Sequence, residues 1–128
     1  MDFDFDRYVE DFNTNDESVV SKHYTEDLTV EGPDRTLRGR AEWLGMLKAV
    51  HSGVRERLQP IMVVRQGDRL MAEVNVVFTP SVDRSDFPFG PLKAGQSLTM
   101  KFFASYRLRG QQIAHLTLGF WMPGMRSL

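Results

Sequence analysis

The chain has 128 residues, of which 41% are hydrophobic, and its 16 Lys and Arg nearly balance its 17 Asp and Glu, for a net charge of −1. These values fit one soluble domain and give no indication of nucleic-acid or membrane binding. Because there is no cysteine, disulfides, zinc–thiolate sites and a cysteine nucleophile are excluded. The acidic N-terminus lacks the apolar stretch of a signal peptide, and no apolar run reaches the roughly 18 residues of a membrane span. We therefore expect a cytoplasmic protein.

The charges are distributed unevenly along the chain. Residues 1–34 hold eleven acids and two bases, whereas residues 35–128 hold six acids and fourteen bases, and no acid follows residue 86. One interpretation is an acidic helical region that complements basic strands within the protein or across a dimer. The other is a cationic surface that binds an anionic ligand. Both interpretations stay open.

The first half of the chain has the pattern of short helices. In Asp2–Phe12, apolar residues recur at the i, i+3, i+4 and i+7 spacing of one helix face. Asn15 or Asp16 can cap a second helix, and a short strand is predicted at Leu28–Val30. A third amphipathic helix is predicted at Ala41–His51.

The second half of the chain has the pattern of long strands. Residues 55–65 and 70–79 flank a turn that contains Gly67, which predicts a hairpin. Residues 97–108 and 112–121 predict a second strand pair. Three helices, one short early strand and four long strands indicate an α+β fold. In this fold a curved, mostly antiparallel sheet wraps around the helices and leaves a pocket between them.

Residues 80–96 form a long connection that contains three prolines and two glycines. We expect a flexible loop over the mouth of the pocket. As a lid, its Phe87 and Phe89 would close over a ligand and exclude water. The alternative is that the loop is disordered or docks on a partner subunit.

Several segments carry a family resemblance in a consistent order. Residues 8–16, 23–27, 29–33 and 39–40 (YVEDFNTND, HYTED, TVEGP and GR), with the late hairpin YRLRGQQI at residues 106–113, are similar to the nuclear transport factor 2-like superfamily. The nearest branch comprises SnoaL-like polyketide cyclases and ketosteroid isomerases. The resemblance implies a cystatin-like α+β roll formed by one SnoaL-like domain over residues 1–128. It also implies a pocket for a small apolar molecule and a homodimer that forms through the outer face of the sheet.

The resemblance carries over only part of the isomerase machinery. The family tyrosine of the first helix falls on Tyr8, but the family base falls on Gly32, which cannot take a proton. The second family acid would fall near Phe103 or Ala104, and neither is acidic. Relatives that hydrolyse epoxides use strand carboxylates, which residues 87–128 do not contain. SnoaL-like cyclases use an acid on a late strand, and the titratable group on the last strand here is His115.

The candidate catalytic residues are therefore Tyr8, His115 and Glu73, each with an open alternative. Tyr8 lines the pocket as a donor to a developing oxyanion, or is a core tyrosine. His115 is a base in the pocket, or lies on the outer face or at a dimer interface. Glu73 is the strand carboxylate available for acid–base work if it faces inward, although its apolar neighbours in the strand favour an outward position.

Aromatic residues supply the predicted ligand-binding surface, in keeping with the apolar lining of small-molecule sites. These residues are Trp43, Phe78, Phe87, Phe89, Phe103 and Trp121. The three histidines are 28 and 64 residues apart and show no metal-ligand spacing, so neither a metal nor a cofactor is predicted. The sequence predicts that His23 and His51 have structural roles. Three functions remain open: a cyclase- or isomerase-like enzyme acting on an apolar carbonyl compound, a non-catalytic ligand-binding module, and a protein-association domain.

Overall fold

The computed structural model describes residues 2–121, and these residues form an α+β structure, as predicted from the sequence. The helices are α1 (Phe5–Phe12), α2 (Glu17–Val20) and α3 (Arg40–Val50), with a 3-10 turn at Ser21–His23. The strands are β1 (Tyr24–Glu31), β2 (Thr36–Arg38), β3 (Val54–Gln66), β4 (Arg69–Pro80), β5 (Leu98–Arg109) and β6 (Gln112–Trp121). None of the helices within residues 2–121 is long and apolar enough to cross a membrane.

Within the described residues, six strands form one curved sheet in the order β2-β1-β6-β5-β4-β3. β1 and β6 run parallel, and every other neighbouring pair is antiparallel. The two predicted hairpins are β3–β4 and β5–β6. The β3–β4 hairpin is long: twelve residue pairs join its two strands. β2 was not predicted, since three residues are too few to show an alternating pattern.

Local capping determines where the first helices begin. The side chain of Asp4 accepts a hydrogen bond from the Arg7 amide, so α1 begins at Phe5, three residues later than predicted. Asp16 caps α2 by accepting from the Ser18 amide. The helix ends after one turn, and β1 begins at Tyr24, four residues before the strand predicted at Leu28–Val30.

The core lies between the helices and the inner face of the sheet. Inward-facing residues alternate along β4 and β5 and are buried, whereas their neighbours are half-buried or exposed. The inward set comprises Leu70, Ala72, Val74, Val76 and Phe78 on β4 and Met100, Phe102, Ala104, Tyr106 and Leu108 on β5. The same inner face therefore supplies both the core and the wall of the candidate site.

The connection between β4 and β5 packs against the protein. The guanidinium of Arg84 donates to the carbonyl oxygens of Ala49 and Val50, in the last turn of α3, and of Ser52 just beyond it. Phe87 is 4% exposed and packs against Phe78, with ring centroids 5.1 Å apart. The loop is thus fixed at the end of α3 and along the wall of the sheet.

Candidate functional site

Two adjoining cavities lie between the sheet and the helices. The inner cavity has a volume of about 100 Å³ and is lined by α1, α3 and the inner faces of β3–β6. The outer cavity has a volume of about 360 Å³ and extends to the β1–β2 turn. Both are mostly apolar, as small-molecule sites are. The residues that line both cavities are Trp43, Met46, Phe89, Phe102 and Leu118.

A pair of tyrosine hydroxyls lies beside the inner cavity. The hydroxyl oxygens of Tyr8 and Tyr24 are 2.7 Å apart, and either can donate to the other. Tyr8 lines the cavity, as does Tyr106, whose hydroxyl makes no hydrogen bond to another residue of 2–121. When Tyr24 donates to Tyr8, the Tyr8 proton is free to donate to a ligand. The cavity therefore offers two phenolic donors to an acceptor oxygen.

Burial keeps these tyrosines protonated. It raises the pKa of Tyr8 well above 10, and the neighbouring Tyr24, Tyr106 and Glu56 add to the shift. Burial likewise raises the pKa of Tyr24 and of Tyr106. The three hydroxyls are therefore neutral hydrogen-bond donors at any pH at which the protein would work.

One carboxylate, Glu56 on β3, lies in the lining of the inner cavity and is 8% exposed. Its Oε1 is 2.8 Å from Nε2 of His51, while its Oε2 makes no hydrogen bond among the described residues. The charge of Glu56 contributes to the raised pKa of Tyr8 and of Tyr24, because the groups lie close together. An acid–base group and the phenolic donors thus share one cavity.

The turn between α1 and α2 fixes the main chain that carries Glu56. The Asn15 side chain accepts from the Glu56 amide at 2.7 Å and donates to the Glu56 carbonyl at 2.8 Å. Asn13 makes the same pair of hydrogen bonds to Leu58, at 2.8 and 3.1 Å. Asn15 has a φ of 59°, a left-handed conformation that asparagine tolerates better than most residues. β3 is therefore held in place exactly where it borders the cavity.

The indole of Trp43 is a further polar group near both cavities. Trp43 is 6% exposed, and its Nε1 makes no hydrogen bond of normal geometry within residues 2–121. It lies close enough to the Tyr24 hydroxyl to oppose the rise in the pKa of Tyr24 that burial causes. The rings of Tyr24 and Trp43 meet edge to face at 6.4 Å. Trp43 therefore connects the tyrosine pair to the wall between the cavities.

Gly32 lies in the lining of the outer cavity, beside Asp34 and Arg35. A Cβ at this position would meet only the Arg35 carbonyl, at 3.5 Å, and the Asp34 carboxylate, at 4.0 Å, which are ordinary contacts. Space around residue 32 therefore does not require glycine. Because residue 32 is glycine, this position contributes no carboxylate to the outer cavity.

A family model described as a SnoaL-like domain matches residues 5–116. The chain belongs to the SnoaL-like family. Among curated proteins, no sequence match reaches significance. The predicted membership of this branch of the nuclear transport factor 2-like superfamily is confirmed.

Solved structures of other proteins share the fold. A protein of Xanthomonas campestris pv. campestris, provisionally named a polyketide cyclase, superposes with a TM-score of 0.76 at 25% identity, covering 89% of this chain and 84% of its own. A provisionally named polyketide cyclase of Pseudomonas putida gives 0.77 at 22% identity, with 92% and 89% covered. An LEH-like epoxide hydrolase of Mycobacterium tuberculosis gives 0.72 at 11% identity, with 91% and 79% covered. The last two similarities show the fold alone.

Within this SnoaL-like domain, four of the residues predicted for the site lie around the inner cavity. Tyr8, Trp43, Phe78 and Phe89 line it. Phe87 is not part of that lining, because it packs behind Phe89, with ring centroids 5.9 Å apart. Of the two aromatic residues predicted for a lid, Phe89 therefore faces both cavities and Phe87 supports it.

The structure places the other predicted site residues on the outer face of the sheet. His115 is 2.7 Å from Glu31, and Glu73 is 2.6 Å from Lys101. Phe103 and Trp121 are 47% and 54% exposed. Strand alternation gives the reason. Their neighbours along the strands line the cavities, so these side chains point away from both cavities; the neighbours are Val74, Phe102, Ala104, Leu116 and Phe120.

Glu56 was not among the residues predicted for the site, and His51 was predicted to have a structural role. Glu56 stands between Arg55 and Arg57, which are exposed, while Val54 and Glu56 are buried. The alternation along β3 would have placed Glu56 on the inner face, had the phase of the strand been known. No cluster of three or more His, Asp and Glu side chains in residues 2–121 is arranged to hold a metal ion.

Proposed function

We propose that the chain is a cofactor-independent enzyme that binds an apolar carbonyl compound in the inner cavity and transfers a proton on it. The observation that carries the proposal is the presence of one carboxylate, Glu56, and two phenolic donors, Tyr8 and Tyr106, in the lining of a single apolar cavity. SnoaL-like membership and the names of the relatives support a small-molecule substrate.

The chemistry requires two groups with opposite roles. Oε2 of Glu56 removes a proton from a carbon next to the carbonyl group, and the C–H electron pair forms a C=C bond. The carbonyl π electrons move to oxygen, and the resulting enolate oxygen accepts hydrogen bonds from Tyr8 and Tyr106. In a β,γ-unsaturated substrate Glu56 then returns the proton to the γ carbon: the double bond moves into conjugation, the C=O bond re-forms, and no oxidant, reductant or cofactor is consumed. Glu56 takes the role of the family base, whose position is occupied here by Gly32.

A β,γ-unsaturated ketone, 3-cyclohexen-1-one, tests the proposal directly. It has a single six-membered ring, because the inner cavity, of about 100 Å³, limits the size of a ligand. Conversion into the conjugated 2-cyclohexen-1-one is followed by ultraviolet absorbance. We expect acceleration over the uncatalysed rate, a loss of about a hundredfold or more in E56Q, and a loss of about a hundredfold in Y8F.

Matched variants separate the assignments. E10Q changes an exposed glutamate of α1 and should keep the wild-type rate. H115Q and E73Q test the residues named from the sequence. If either loses activity while E56Q keeps it, the base is on the outer face and this proposal is wrong. Phenol, which resembles the enolate in shape, is the binding probe. Phenol binding without turnover would favour a non-catalytic ligand-binding module.

We also propose that two copies pair through the outer face of the sheet. Met62, Val64, Met71, Phe103 and Trp121 on this face are each at least 47% exposed. Such an apolar surface is unusual for a monomer. Native mass spectrometry should show a dimer for the wild type and a monomer for F103E, whereas E10Q should stay dimeric. A monomeric wild type would contradict the pairing.

A further inference from the structure

Three side chains form a hydrogen-bonded chain from the surface to the inner cavity. Oε1 of Glu17, on α2, is 3.2 Å from Nδ1 of His51, and Nε2 of His51 is 2.8 Å from Oε1 of Glu56. The side chain of Glu17 is 25% exposed, whereas those of His51 and Glu56 are 8% and 10% exposed. The chain thus connects partly exposed Glu17 with the carboxylate that borders the cavity.

The arrangement fits the imidazolium form of His51. Each ring nitrogen faces a carboxylate oxygen, and only the protonated ring has a donor on both nitrogens. Burial lowers the pKa of His51, but the hydrogen bonds and charges of Glu56 and Glu17 outweigh burial and raise it above 6.5. The Phe12 ring lies perpendicular to the imidazole, with ring centroids 6.0 Å apart, and adds no charge.

Other charged and titratable groups near His51 lie on the elements that pack around it. Asp16 and Glu17, at the start of α2, line the same small cleft as His51. Arg84 binds the carbonyl oxygens of residues around the end of α3. Tyr8 and Tyr24 face Glu56 and stay neutral. Among the described residues, Glu17 and Glu56 are the charged groups in hydrogen-bond contact with the ring.

We infer that His51 is a positioning residue: its imidazolium, anchored by Glu17, holds Oε1 of Glu56 and so directs Oε2 at the ligand. The inference rests on the proposed function of Glu56 as the proton-transferring group. Asn15 fixes the main chain of Glu56 and His51 fixes its carboxylate, so the base is held at both ends. A reacting group misplaced by about 1 Å can lose a hundredfold in rate.

The inference has a signature in the pH dependence of turnover. A neutral imidazole has one N–H, so it cannot donate to both carboxylates, and one carboxylate then faces a ring lone pair. Turnover of 3-cyclohexen-1-one should therefore fall as the pH rises through the raised pKa of His51. If His51 were only a packing residue, turnover would show no such decline at high pH.

Two variants, with one control, test the inference in the full-length protein. H51Q keeps a donor toward Glu56 but does not titrate, so we expect kcat to fall about tenfold to a hundredfold, with KM within about twofold because the cavity lining is unchanged. The decline at high pH should be absent in H51Q. E17Q keeps an acceptor for Nδ1 but removes the charge, so its decline should move to lower pH. E10Q should match the wild type throughout.

Nuclear magnetic resonance gives a readout that needs no substrate. The titration of the His51 Cε1–H resonance, identified by its absence in H51Q, should have its midpoint above 6.5. That midpoint should fall in both E17Q and E56Q. A midpoint unchanged in both variants would overturn the inference, because the carboxylates would then not be coupled to the ring.

The outcomes distinguish the inference from the function on which it rests. Turnover by the wild type that is lost in E56Q, but whose decline at high pH persists in H51Q, overturns the positioning role and leaves the proposed function intact. Absence of turnover in the wild type overturns the proposed function, and the catalytic role of His51 with it. If the decline of turnover at high pH is absent in H51Q and moves to lower pH in E17Q, both the positioning role and the proposed function are supported.

Discussion

The hydroxyl pair of Tyr8 and Tyr24 predicts a specific coupling in protein stability. The two oxygens are 2.7 Å apart, and the residues are 2% and 0% exposed. Removing one hydroxyl leaves its partner without that hydrogen bond, whereas removing both leaves two apolar rings. A buried hydroxyl without a partner costs about 1–3 kcal/mol. The Y8F/Y24F double variant should therefore lose less stability than the sum of the two single variants.

The magnitudes follow from where each hydroxyl lies. In Y8F the Tyr24 hydroxyl is orphaned away from the cavity, so we expect a loss of about 2 kcal/mol. In Y24F the Tyr8 hydroxyl still borders the cavity and can bind water there, so the loss should be about 1 kcal/mol. The double variant should lose about 2 kcal/mol rather than 3, which gives a coupling energy of about 1 kcal/mol.

Urea denaturation of the wild type, both single variants and the double variant measures this coupling. Thermal unfolding should agree, with Y8F melting about 8 °C below the wild type for a chain of this size. The slope of the unfolding free energy against urea concentration must stay constant across the four proteins. Losses that add within about 0.3 kcal/mol would refute the reasoning, because the hydroxyls would then not stabilise each other.

Three further predictions concern other parts of the site and its support. N15A should lose about 2 kcal/mol of unfolding free energy in urea, since two hydrogen bonds to Glu56 disappear; N15G, free to adopt the positive φ, should lose about 1 kcal/mol less, and equal losses would contradict the backbone argument. Burial raises the pKa of Asp11, but the hydrogen bonds from His23 and Lys22 outweigh burial and lower it. The ionised carboxylate therefore stabilises the protein above pH 3.8, and this contribution is lost as the pH falls through the lowered pKa. In D11N the melting temperature should fall less steeply at acid pH, and an unchanged fall would mean that other groups cause it. F89A should join the two cavities and raise the affinity for 2-naphthol relative to phenol in calorimetric titrations, at a cost in stability of about 2 kcal/mol, whereas an unchanged affinity ratio would mean that Phe89 does not separate them.

The periodicity of the sequence predicted most of the secondary structure. The apolar spacing of α1 and the alternation of the long strands locate these elements within a few residues, because each pattern reflects a single buried face. The α+β class followed from the order of the predicted elements, and the SnoaL-like family from the resemblance of several segments to that family. The short β2 strand and the 3-10 turn at Ser21–His23 left no periodic signal, since neither completes a repeat.

The candidate site was harder to predict because alternation gives two faces without saying which one is inside. Phe103 and Trp121 were expected in the pocket and lie on the outer face. On β6 a bulge complicates the assignment further. Arg107 pairs with His115 and Leu108 with Ile113, so Ala114 is the extra residue. Ile113 is consequently buried although it has the strand parity of the outward His115.

The link between α3 and β3 shows a second limit. Glu56 and His51 are five residues apart in the sequence, but the third member of their hydrogen-bonded chain, Glu17, is 34 residues from His51. No local pattern records that α2 lies against this turn. The tertiary packing of the short α2 helix therefore had to be known before the buried chain of carboxylate, imidazole and carboxylate could be recognised.

The asparagine side chains that hold β3 also bear on the solubility of the protein. β3 is an edge strand of the described sheet, and a free edge invites pairing with another chain. Asn15 and Asn13 occupy the outward main-chain groups of Glu56 and Leu58, and the next outward position along the strand is Pro60, which has no N–H to offer. Three successive outward positions of this edge therefore offer no free main-chain N–H to another chain, so the turn that fixes Glu56 also shields this stretch of the edge strand.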